Sequence, residues 1–119
     1  MGSELNFPQL TIACSTQDGT HVVALGGELD LRAVGELETA LAQAGQEARI
    51  CLDLTELQFI DSSGLATIIR THQAMIGGGG ALVVALRNEG PVRRTFETTA
   101  LTTLLTVADD RAAAIQALG

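Results

Sequence analysis

The chain has 119 residues, and a compact fold of that length has a radius of gyration of about 14 Å, so one domain is expected. Hydrophobic residues make up 46% and mean hydropathy is +0.29, enough for a core; no apolar run approaches the ~20 residues of a membrane span, and nothing near Met1 resembles a secretory leader, which together predict a cytosolic protein. Fourteen acids against seven bases, all Arg, give a net charge of −7 and a pI near 4.5, and aromatics are only 3%, so the chain lacks the basic excess and the stacking surfaces that nucleic acid requires.

In chain order, Leu10–Cys14 and His21–Leu25 read as short strands joined through Gln17-Asp18-Gly19-Thr20, whose Asp-Gly pair signals a hairpin. After Gly26-Gly27-Glu28-Leu29, Asp30 is the expected N-cap of a helix carrying Val34, Leu37, Leu41 and Ala44 and ending at Gly45. Ala48–Leu54 alternates, with Ile50, Leu52 and Leu54 on one face, as a strand packed on helices would. Phe59-Ile60 then leads into Asp61-Ser62-Ser63-Gly64 and a helix with Leu65, Ile68, Ile69, His72, Met75 and Ile76 on one side, which Gly77–Gly80 ends.

Ala81–Leu86 is apolar throughout, the pattern of a strand buried on both faces and central or nearly so. Pro91 is placed to begin a helix bearing Val92 and Phe96, Leu104–Val107 is a last strand, and Asp109 or Asp110 caps a terminal helix bearing Ala112, Ile115 and Leu118. Strand and helix alternate from residue 21 onward. The expected fold is therefore α/β: an N-terminal hairpin, then right-handed crossovers building a mixed, mostly parallel sheet with helices largely on one face.

Several residue sets suggest chemistry and have ordinary readings. Cys14 and Cys51 lie far apart in apolar runs and read as small buried hydrophobes. Gly77–Gly80 follows a helix and precedes no Lys, so it reads as a turn and not a phosphate cradle. Asp53 and Glu56, without further ligands, read as a solvated strand end rather than a metal site, and no cofactor is called for. Arg87, Arg93 and Arg94 read as solvated surface, with contact to a partner's acids as the sharper alternative. Catalysis at Ser62 or Ser63 would need a base, but His21 belongs to the hairpin and His72 stands ten helical residues, about 15 Å, from Ser62. The chain is read as a non-enzyme.

Asp61-Ser62-Ser63-Gly64 is the most informative stretch. By itself Asp61 is an ordinary cap for the N–H groups of Ser63 or Gly64. A hydroxyl in that first turn is also exposed, and a phosphate placed on it would meet free N–H groups and the positive end of the helix dipole.

With Leu52-Asp53-Leu54, Gly27-Glu28-Leu29-Asp30, Phe59-Ile60-Asp61-Ser62-Ser63-Gly64-Leu65, Pro91-Val92-Arg93-Arg94 and Thr99-Ala100-Leu101, the chain resembles an anti-sigma factor antagonist of the STAS domain family. The resemblance covers residues 10–118 as the domain and leaves 1–9 as an extension. It implies that Ser62 is the regulatory phosphoserine and that Asp30, Asp61, Ser62, Ser63 and Gly64 meet the partner. The unphosphorylated form would bind an anti-sigma factor that is also a serine kinase and so free a sigma factor; phosphorylation would reverse the binding, and a serine phosphatase would restore it. No membrane and no direct nucleic-acid contact is implied. The competing expectations are a STAS docking subunit of a membrane transport assembly and a scaffold subunit of a stress-signalling complex. Ala100 departs from the Gly that members commonly carry in that helix-ending turn.

Overall fold

The structure is a computed structural model that describes residues 9–45 and 48–119; apart from Gln9, the expected N-terminal extension lies outside the described residues. The elements are β1 (Thr11–Gln17), β2 (Thr20–Leu29), α1 (Val34–Ala44), β3 (Arg49–Ile60), α2 (Ser62–Gly78), β4 (Ala81–Ala85), α3 (Pro91–Thr98), α4 (Leu101–Leu104), β5 (Thr106–Ala108) and α5 (Arg111–Leu118). One five-stranded sheet runs β1-β2-β3-β4-β5, antiparallel at β1–β2 and parallel elsewhere. The α/β fold expected from the alternation is the fold observed.

Local rules account for several boundaries. Asp18 and Gly19 sit at φ 52° and 78°, positive at both central positions as a tight hairpin turn demands, so β1 returns as β2 in register. Pro91 opens α3, where its missing N–H costs nothing, and Asp110 accepts from the Ala113 N–H to cap α5.

The principal core lies between the sheet and α1–α4. Leu52, Leu54, Leu37, Ile68 and Phe96 are all buried there. A second, smaller core closes the opposite face, where Val22, Cys51, Val83 and Ala85 pack on Ala114 and Leu118 of α5. This corrects the one-faced reading of the third strand: β3 is the central strand, buried on both sides over Ile50–Leu54, and it continues through Phe59 and Ile60. β4, buried on both faces, is second from the edge.

Three smaller expectations are corrected. Cys14 is exposed because β1 is an edge strand, whereas Cys51 is buried. Leu104 belongs to α4, and the last strand is only Thr106–Ala108. Ile76 and Ala112 face outward, since the last turn of α2 buries Met75 and α5 turns Ala114 inward instead.

Ala100 takes the left-handed conformation at φ 61°, where an L-residue is strained by roughly 1–2 kcal/mol. Glycine at this position removes the strain but adds unfolded-state entropy. Ala100→Gly should therefore raise stability by about 0.5–1 kcal/mol, read as a higher denaturation midpoint; a lower midpoint would show that the turn is not strained.

Candidate functional site

The parallel pairing of Leu29 with Ile60 brings two chain exits to the carboxyl-terminal edge of the sheet, and the Asp61 N–H donates to the Leu29 carbonyl at 3.2 Å. Asp30 and Asp61 are therefore neighbours at the end of adjacent strands. This edge is where α/β sheets present their binding residues.

Asp61 is extended, and its Oδ1 accepts from the Ser63 N–H at 3.0 Å, the Gly64 N–H at 3.1 Å and the Ser63 hydroxyl at 2.5 Å. Its carbonyl accepts the Leu65 N–H to start α2. Burial pushes this carboxyl up, but bonds from the Ser63 side chain and from the backbone of Gly64, Ser63 and Leu31 outweigh it and hold it below the usual carboxylate value. Asp61 is thus an ionised cap at neutral pH. The Ser63 and Gly64 N–H groups are thus both capped by Asp61, as expected, and are not free to meet a phosphate on Ser62.

Ser62 is the first residue of α2 and is exposed, while Ser63 is half-buried with its hydroxyl committed to Asp61. Gly64 is buried. A Cβ there would lie 2.9 Å from Ile60 Cγ1 and from Leu29 Cγ, so its absence lets the first turn of α2 settle onto the ends of β2 and β3.

Asp30 is not the cap of α1. The helix starts at Val34, and Asp30 instead organises the turn before it: its carbonyl accepts from the Ala33 and Val34 N–H groups. Its carboxylate accepts from the Arg32 N–H at 3.1 Å and from the Arg32 guanidinium at 2.8 and 3.2 Å. The guanidinium bond holds this carboxyl below its ordinary value, against the opposing push of desolvation.

Sequence reasoning missed three residues here. Arg32 pairs with Asp30, and Leu31 and Phe59 are exposed by 73% and 45%. No local signal sets Leu31 apart, because it stands three residues before Val34 and so continues the spacing of the α1 core positions.

Two other sets are resolved as structural. Arg93 is not solvated: it donates to the Arg87 carbonyl at 2.9 Å and to Asp109 at 3.1 Å, leaving Arg87 and Arg94 exposed. Asp53 is not a solvated strand end either. It is buried and accepts from Arg111 of α5 at 2.8 Å and from the Thr55 N–H and hydroxyl at 2.9 and 2.7 Å.

Burial raises the Asp53 carboxyl, but the bonds from Thr55 and Arg111 outweigh it and leave it below its ordinary value. A carboxyl lowered in the folded state contributes stability that is complete above its unfolded value near pH 4 and is lost as pH falls through the folded value. The denaturation midpoint should fall below about pH 4, with a shallower fall in Asp53→Asn; equal slopes for the two proteins would remove Asp53 from the acid transition.

The chain matches the family model described as Mlab, STAS domain over residues 12–106. It is 34% identical over 100 residues to the anti-sigma-B factor antagonist of Staphylococcus aureus (strain NCTC 8325 / PS 47), covering 82% of this chain and 92% of that one. Its structure is similar to the crystal structure of an anti-sigma factor antagonist from Mycobacterium paratuberculosis, with a TM-score of 0.83, 25% identity and coverage of 92% of this chain and 94% of the other. It is also similar to the Bacillus cell fate determinant SpoIIAA in the phosphorylated form, with a TM-score of 0.58, 26% identity and coverage of 84% and 91%.

Proposed function

The chain belongs to the STAS domain family, and from that premise we propose that it is an anti-sigma factor antagonist whose binding is switched at Ser62. Unmodified, it binds an anti-sigma factor that is also a serine kinase, in the cytoplasm, and so frees a sigma factor. Transfer of a phosphoryl group to the Ser62 hydroxyl ends the binding, and a serine phosphatase restores it. The protein contributes a surface and an acceptor, and performs no catalysis of its own.

One observation carries the choice of acceptor: Ser62 stands exposed at the start of α2, while the neighbouring Ser63 hydroxyl is engaged by Asp61. The similarity to SpoIIAA in a phosphorylated form supports a phosphorylatable site in this kind of domain. Asp61, Ser63 and Gly64 then act beneath Ser62, as an ionised neighbour and a rigid seat.

The test is incubation with ATP and each serine-kinase anti-sigma factor of the source genome, followed by mass spectrometric location of the phosphate. Ser62→Ala leaves the Asp61 cap intact, so it should fold, accept no phosphate at this site and remain bound to the kinase. Phosphate transfer at an unchanged rate in this variant would move the acceptor elsewhere.

A further inference from the structure

Among the described residues, four large hydrophobic side chains are conspicuously exposed, and two of them, Leu31 and Phe59, belong to the sheet edge that bears Ser62. Leu31 lies two residues beyond Leu29, and Phe59 one residue before Ile60, the partner of Leu29 in the sheet. Single exposed hydrophobics need no explanation, but two at one functional edge do. Asp30, next to Leu31 in the chain, offers little to a partner, because its carboxylate already holds three hydrogen bonds from Arg32.

We infer that Leu31 and Phe59 are the apolar anchors of the partner surface, and that Asp30 is a positioning residue that shapes the turn presenting Leu31. This rests on the proposed function and assigns its affinity to different residues. The occupant is the anti-sigma factor, with an apolar pocket rimmed by cations: the carboxylate of Asp61 beside Leu31 is ionised, and the whole chain carries −7. Apolar anchors inside a polar rim are the usual anatomy of a specific interface. On this arrangement the anchors supply an affinity that salt barely alters, and the acids set which partner is admitted.

The test titrates each purified serine-kinase anti-sigma factor of the source genome against the wild type, and the one that binds becomes the probe. Leu31→Ala should weaken binding at least about tenfold, by the same factor at low and high salt, with an unchanged circular dichroism spectrum. Phe59→Ala should act in the same direction. Asp30→Asn, which keeps an oxygen for the Arg32 N–H, should lose less than about threefold, while Asp30→Ala, which releases the turn, should lose more. Wild-type affinity in folded Leu31→Ala and Phe59→Ala overturns the anchors, and equal losses in Asp30→Asn and Asp30→Ala overturn the positioning role. Failure of the wild type to bind any of these kinases overturns the proposed function itself, and the inference with it.

Discussion

Protein carrying phosphoserine at position 62 is expected to bind its anti-sigma partner at least about tenfold more weakly, or about 1.4 kcal/mol, while melting within a few degrees of the unmodified form. The phosphate adds about −1.5 to −2 charge at pH 7 next to Asp61, which is already ionised. The Ser63 and Gly64 N–H groups that would offset this charge are held by Asp61. Helix-dipole stabilisation of a few tenths of a kcal/mol therefore faces a repulsion of similar size, screened by salt because Ser62 is exposed. The two nearly cancel, so the isolated domain should change stability little. At the interface there is no such compensation, because the dianion must be desolvated against a surface shaped for a hydroxyl. Phosphoserine installed by an expanded genetic code separates the switch from any kinase. Unaltered affinity, or a large loss of structure on phosphorylation, would show that local repulsion is not how the switch works.

Gly27→Ala should cost about 2–4 kcal/mol, a large part of the 5–15 kcal/mol typical of a domain. Gly27 adopts φ 79°, and a Cβ built there would lie 2.0 Å from the carbonyl oxygen of Gln9. The left-handed conformation alone costs an L-residue roughly 1–2 kcal/mol, and the overlap is with backbone, which cannot swing aside as a side chain can. The consequence reaches the site. The register between β2 and β3 slips between Gly27 and Glu28, and this irregularity sets where Leu29, and hence Asp30 and Leu31, leave the sheet. Urea denaturation measures the loss, and an unchanged midpoint would mean that the approach of Gln9 contributes nothing to the fold.

Glycine at 27 and at 64 is legible in the sequence only as a residue type, whereas the reason for each lies in a close approach that no local pattern encodes. The same division runs through the molecule. The hairpin at Asp18-Gly19, the cap at Asp61, the start at Pro91 and the cap at Asp110 follow from hydrogen bonds and dihedral preferences spanning two to four residues, so the sequence by itself determined them. Alternation of apolar positions likewise determined an α/β order and put Asp61 and Ser62 at the start of a helix. Only the tertiary structure decided that the second face of β3 is closed by α5, because Asp53 meets Arg111 across 58 positions of chain. It also decided that Asp30 serves a turn instead of capping α1, since the first turn of a helix can begin wherever packing of Leu37 and Leu41 against the sheet allows. The exposure of Leu31 and Phe59 belongs to this second class. Whether an apolar side chain is buried depends on which distant element covers it, and at this edge no described element does.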